Sequence, residues 1–305
     1  MLTGTRIVTR QRSGLTLLEL MVGLVIGGFA LALISAISVR QQRVFSDLAE
    51  IAAAGGQLRD AAGILPVDLR GISARLGDVH EARDTAIEFR ATIASALVCD
   101  SAPAGLVLAP VGDSVSSLGF GETAVAIGDT AWLLNAADSN ADWRAFRVSS
   151  VASIRGGSCA SLAPALTAAE RALTRVVVAL DSAPQSTAAI GMPIRFTRSL
   201  RYSLYRASDG AWYLGERDWN AVTARFNTVQ PVAGPFLSPA QRGLLLRYAD
   251  STGRDLGAPV GDTRNIVMVR MELRAATPHS MRALAASGAA KRTDSLIVAV
   301  LLRNR

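Results

Sequence analysis

Residues Leu15 to Val39 form an apolar run of 25 positions broken by one charge, Glu19. Helical, that run is about 37 Å long at 1.5 Å per residue, enough to cross a hydrocarbon core of roughly 30 Å. After Arg40 the apolar residues thin to Val44, Leu48, Ile51 and Leu58, with Arg43, Asp47, Glu50 and Arg59 between them. That spacing predicts a helix that continues with one apolar face. Gly55, Gly56 and Gly63 weaken its far end. Leu65 before Pro66 predicts its break, with "PVDLRGIS" adding a last short turn.

From about residue 84 the period changes from helical to two. "TAIEFRAT", "DWRAFRVSSV", "RFTRSLRYSLYR" and "VMVRMELRA" alternate, while "RVVVAL", "GLLLRYA" and "SLIVAVLLR" are short apolar runs. "DSNAD", "SDGA", "VAGP" and "STGR" punctuate them as turns. "RYSLYRASDGAWYLGER" predicts a hairpin with Asp209-Gly210 at its bend. The expected fold is therefore α+β: a long N-terminal helix, then a mostly antiparallel β-sheet head without internal repeats.

Charge gives the segment a direction. Arg6, Arg10 and Arg12 precede the apolar run, and no acid occurs before Glu19. The excess of basic residues on one flank predicts that the first residues stay in the cytoplasm and everything after Arg40 lies outside. A cleaved secretory signal would have an apolar core of only about 7–15 residues and a small-residue cut site after it. Here the run is longer and leads into "RQQRVFSDLAEIAAA", which is helix-compatible. A plain anchor explains the length but not Glu19. A carboxylate in a bilayer costs on the order of 2.5–3.5 kcal/mol at the helix centre, less near an interface, and calls for a partner.

Export also bears on the two cysteines, Cys99 and Cys159. Outside the cytoplasm the pair reads as one disulfide, two free thiols being the alternative. A bridge closing about 60 residues adds roughly 3–4 kcal/mol in the chain-entropy model.

The stretch from Gly14 is decisive. Basic residues, a glycine, and then Leu15, Thr16, Leu17, Leu18 and Glu19 lead into a helix. This resembles the prepilin signature of type IV pilins and of type II secretion pseudopilins. The resemblance implies that prepilin peptidase cuts between Gly14 and Leu15, with Thr16, Leu17 and Leu18 completing the processing motif. Leu15 becomes the N-methylated first residue. It also implies that Glu19 pairs with the α-amino group of a neighbouring subunit. Leu15 stands where Phe or Met is commoner, and no proline occurs before Pro66, so the kink of many major pilins is missing. Gly23, Gly27 and Gly28 supply local flexibility instead, each weakening a helix by about 1 kcal/mol relative to alanine.

The implied organisation is a leader at 1–14 and a transmembrane and assembly helix at 15–39. An amphipathic continuation packing on the head follows at 40–72, then a β-rich head at 73–305. "VDLRGIS", the "YSLYR…DGAWYLGER" hairpin and the closing "LLRNR" are similar to segments of PilW-type minor pilins and GspJ-type pseudopilins. The resemblance thus implies a minor pilin of a type IV pilus, at or near the filament tip and priming assembly. The alternatives are a GspJ-type pseudopilin of a type II secretion system and, outside the class, a membrane-anchored binding module that never polymerises. The implied partners are prepilin peptidase, other major and minor pilins or pseudopilins, the inner-membrane assembly platform and membrane lipid. The implied location is the inner membrane, single-pass with the head outside the cytoplasm. Assembly then moves the chain into the pilus or pseudopilus, from periplasm to cell surface.

Candidate chemistry elsewhere is sparse, and no enzyme or cofactor is expected. His80 and His279 are far apart, "HEARD" has no second histidine, and neither G-x-S-x-G nor a P-loop occurs. Asp138, Asn140 and Asp142 alternate like the opening of a calcium loop. Trp143 and Ser149 stand where its glycine and closing acid belong, so an Asx-rich turn is the better reading. Arg195, Arg198, Arg201 and Arg206 crowd one strand, raising DNA capture. A period of two splits them, Arg195 and Arg201 against Arg198 and Arg206. Loss of the leader lowers the net charge from +7 to +4, and no aromatic ladder is present. Lys291 is the only lysine, a bias that genome composition explains, and nucleic acid is not expected as a partner.

Overall fold

The computed structural model describes residues 16–102, 105–109, 120–121, 124–135, 142–155, 159, 167–182, 190–280 and 291–303. Helix α1 spans Leu17–Arg70 and is followed by β1 (Val79–Ala82), β2 (Ala86–Ala102), β3 (Gly105–Leu108) and β4 (Phe120–Gly121). Then come β5 (Thr130–Asn135), β6 (Asp142–Arg155), the short α2 (Ala168–Ala172) and β7 (Thr174–Leu180). Strands β8 (Pro193–Arg206), β9 (Trp212–Asn220), β10 (Arg225–Phe226) and β11 (Gln230–Phe236) follow. The last are β12 (Leu244–Ala249), β13 (Met268–Ala276) and β14 (Thr293–Leu301). The fold is a long N-terminal helix followed by mostly antiparallel β-sheet, and the strands read from alternation and apolar runs all form.

Two compact units emerge. One comprises the described residues up to Ala53 with those of Thr277–Arg292; the other comprises Ala54–Ala276 with the described part of Thr293–Arg305. In the second unit, the long strands β2 and β8 pair antiparallel from Ala86↔Ser203 to Leu97↔Pro193. A bulge between Thr92 and Ala94 divides that ladder in two. On one side of the bulge the strands join a closed ring, β2–β3–β7–β6–β5–β8 and back to β2. Closure leaves these strands no free edge. Ile93, Val98, Leu133, Val178, Ile194 and Phe196 fill the interior.

On the other side, β2 takes β1 as its second neighbour and β8 takes β9, with β11 beyond. This half packs with the last turns of α1 and with the three-stranded sheet β12–β13–β14 around one core. Leu58, Ala61, Leu65 and Leu69, three or four residues apart, are the face that α1 gives to it. Within this unit Gln57 adds a polar tie, its Oε1 accepting from the Gly234 amide at 3.0 Å. Gly234 has φ +143°, and a Cβ there would lie 2.7 Å from the Tyr213 ring, so only glycine fits.

The helix does not break at Pro66. It runs through Gly55, Gly56, Gly63 and Pro66 to Arg70. A proline inside a helix costs about 3 kcal/mol, but Pro66 is itself buried between Leu65 and Leu69. Burying a leucine contributes roughly 1.5–3 kcal/mol, so the three leucines of this face outweigh the lost backbone bond. Burial begins later than the apolar spacing suggests: Phe45 and Leu48 are exposed, and the face is covered from Leu58 onward. Spacing marks a face but not where its partner surface starts.

The hairpin at Asp209-Gly210 forms as expected, with Arg206 opposite Trp212. Gly210 takes φ +82°, and the Asp209 carboxylate accepts from the Ala211 amide and the Tyr213 hydroxyl. Cys99, at 1% exposure on β2, is disulfide-bonded to the buried Cys159. With Val107, Ala109 and Val177 they form a small cluster of their own. Of the calcium-like trio, Asp142 opens β6 opposite Asn135; Asp138 and Asn140 lie outside the described residues.

Leu65→Ala is expected to destabilise the head by about 2–5 kcal/mol, as a poorly collapsing core cavity does, and Leu48→Ala by under about 0.5 kcal/mol. Denaturant unfolding of the full chain in detergent measures both; equal effects would overturn the assignment of the packed face.

Candidate functional site

The described part of the prepilin-like segment begins one residue before α1. Gly14 and Leu15 lie outside the described residues; Thr16 is the first described, followed by Leu17, Leu18 and Glu19 in the first turn. The Leu20 amide donates to the Thr16 carbonyl at 3.2 Å, the first bond of the helical ladder. Thr16 and Glu19 then bond each other reciprocally. The Glu19 amide donates to Thr16 Oγ1 at 3.3 Å, and the Thr16 amide donates to Glu19 Oε2 at 3.2 Å. The Thr16 hydroxyl also donates to Glu19 Oε2 at 3.3 Å.

This is a capping box, T-x-x-E, in which two amides that the helix leaves orphaned find side-chain acceptors. The same spacing recurs at α2, where Thr167 and Glu170 cap each other and Glu170 is buried. At α1 the box is exposed. Glu19 also places its charge at the positive end of the longest helix dipole in the chain. Thr16 and Glu19 stand out in the sequence through the prepilin resemblance; their mutual cap is a separate signal, carried by the threonine-to-glutamate spacing alone.

Beyond the cap, residues 17–43 are exposed along their length, with Gly27 alone half-covered. α1 is long and apolar enough to cross a membrane, and that stretch is not buried among the described residues. A helix that shows leucine, isoleucine and phenylalanine on all sides needs an apolar environment supplied from outside its own fold.

A family model described as the prokaryotic N-terminal methylation motif matches residues 9–35. The N-terminus is type IV pilin-like. The match takes in Gly14 through Glu19 and most of the apolar run. No curated protein matches the chain at a significant level, and no solved structure does. In chains with this methylation motif, processing by a prepilin peptidase and assembly with other pilins are what the motif implies.

Other candidate residues are placed differently. His80 lies on β1, while His279 holds Glu50, with Nδ1 2.8 Å from Oε1. The two histidines fall in different units. The arginines of β8 are mostly engaged. Arg198 binds Asp129 at 2.7 Å and Asp218 at 3.3 Å. Those hydrogen bonds raise the pKa of its guanidinium against the opposing effect of burial. Arg201 faces Glu81 and Glu88 at 3.5 and 3.9 Å, and Arg206 Nε donates to the Gly210 carbonyl. Three of the four thus serve the fold and are not available as a phosphate-binding track.

Thr16→Ala removes one half of the box, and losing such a cap costs about 1 kcal/mol. Amide exchange at Glu19, whose amide loses its acceptor, should accelerate roughly fivefold in detergent micelles. Unchanged exchange would show that the reciprocal bonds do not hold the helix start.

Proposed function

We propose that the chain is a minor pilin of a type IV pilus. Prepilin peptidase cuts between Gly14 and Leu15 and methylates Leu15. The head lies outside the cytoplasm while residues 15–39 span the inner membrane. Assembly then moves the subunit into the filament, and the chain acts there as a structural subunit, not an enzyme. The observation that carries this reading is the methylation motif over residues 9–35, joined to a helix whose first 27 residues (17–43) have no core of their own.

The capping box supplies the chemistry. Before cleavage the Glu19 carboxylate accepts from the Thr16 amide and hydroxyl. Cleavage creates an ammonium at Leu15, and a neighbouring subunit brings its own ammonium to the same depth. A charge-assisted bond is roughly twice as strong as a neutral one, so the carboxylate exchanges a local partner for a charged one. Pairing removes the cost of an isolated charge in lipid and fixes the stagger between subunits, as a polar residue fixes register in a coiled coil. The ring of strands and the second sheet make a bulky head, which suits a filament end better than a repeating shaft. A GspJ-type pseudopilin has the same N-terminal chemistry, and filaments built by a secretion machine would identify it.

Glu19→Ala should be cleaved normally, its mature N-terminus reading methyl-Leu15 by mass spectrometry, while its recovery in sheared filaments falls at least tenfold. Intact Met1 in the wild-type protein would overturn the pilin reading, and normal incorporation of the variant would overturn the charge pair. Immunogold labelling of the head is expected at filament ends; even labelling along the shaft would refute the tip placement.

A further inference from the structure

One arginine of β8 is left over. Arg195 sits between Ser95 of β2 and Trp132 of β5, its direct register partners on either side. Its guanidinium lies 5.9 Å from the centre of the Trp132 ring. Among the described residues it forms no ion pair, and its Nε is buried without a hydrogen-bond partner. The acids that neutralise the neighbouring Arg198 and Arg201 are already engaged. Asp78, whose charge also acts on Arg195, accepts from the Ser73 amide and lies 3.9 Å from Arg90, whose guanidinium is 5.5 Å from the same indole ring.

Arg195 lines a cavity of about 500 Å³ together with Arg303, Thr92 and Ser95. Arg303 is exposed just past the end of β14. It is tied down by its backbone, whose amide donates to the Ile72 carbonyl at 2.9 Å. Its guanidinium has no ion-pair partner among the described residues. Burial lowers the pKa of Arg195; Asp78 opposes that, and the like charges of Arg303 and Arg90 add to it. Asp68 and Glu216 line the cavity as well, but each is 2.7 Å from the buried Tyr202 hydroxyl. The cavity thus brings together two guanidiniums without ion-pair partners among the described residues and two carboxylates that share the Tyr202 hydroxyl.

A half-buried cation with no counter-charge is costly unless an anion is supplied. A guanidinium presents paired N–H donors in a fork that fits two oxygens of one group. Thr92 and Ser95 add hydroxyl donors to the lining. We propose that this cavity binds an oxyanion, a carboxylate or a phosphate group, held by Arg195 and Arg303. The site is separate from the N-terminal processing segment and does not depend on how the chain assembles.

Equilibrium dialysis of the full chain in detergent micelles, with labelled inorganic phosphate and labelled succinate, tests it. One saturable site is expected for at least one probe, and which probe binds assigns the ligand to phosphates or carboxylates. Arg195→Gln and Arg303→Gln should each weaken binding about tenfold or more, while the exposed Arg225→Gln, which removes the same charge elsewhere, should leave it unchanged. Should Arg195→Gln fail to fold, Arg303→Gln decides alone. Absence of saturable binding of both probes, unchanged binding in Arg303→Gln, or an equal loss in Arg225→Gln would overturn the site.

Discussion

The antiparallel ladder between β2 and β8 is the constraint on which the head depends. The two strands are 17 and 14 residues long, well beyond the usual five or six. One pair of strands therefore serves two cores. The bulge at Thr92/Ala94 is where the ladder passes from one to the other. Beyond it, Ile194 and Phe196 point into the closed ring; before it, Phe89, Leu200 and Tyr202 meet the end of α1. An extra residue in one strand locally increases twist and bends the sheet, which lets a single ladder change partners without a break. Tyr202 shows how tightly the second core is specified. It is fully buried against Phe89, and its hydroxyl lies between Asp68 of α1 and Glu216 of β9. Burial, with both carboxylates close by, pushes its pKa far up and keeps the phenol protonated.

α1 answers to two environments along its length. From Leu17 the helix presents apolar side chains on every side, uncovered among the described residues. From Leu58 it presents one narrow stripe and is bound into the core of the head. No proline or cap separates the two regimes, and the glycines between them do not interrupt the ladder of backbone bonds. The methylation motif occupies the first regime only. The motif thus lies wholly outside the stretch of α1 that packs into the core of the head.

Electrostatics divides the arginines of β8 by what each can reach. Arg198 has two aspartates and the Ala124 carbonyl, and so fixes the loop before β5. Arg201 has two glutamates from β1 and β2. Arg195 has an indole face and two like charges. The same residue type on one strand is structural at two positions and unsatisfied at a third, and only the neighbouring strands make the difference.

Much of this was legible in the residues themselves. The length of the apolar run, the basic flank, the place of Glu19 and the alternation of most strands follow from periods and charges that act over a few residues. The prepilin-like segment was readable for the same reason, because its chemistry lies within six consecutive positions, Gly14 to Glu19. What sequence could not supply were decisions made between distant segments. Pro66 stays helical because Leu65 and Leu69 are buried by strands far along the chain. The ring closes because β3, which pairs with β2, also meets β7, 70 residues away. Arg195 has no ion pair among the described residues because strand pairing sets it between Ser95 and Trp132, whereas Arg198 meets Asp129 and Asp218. Local pattern fixes which elements form, since propensity and amphipathic period are short-range; pairing and charge balance are settled only when the closed fold decides which side chains share a volume.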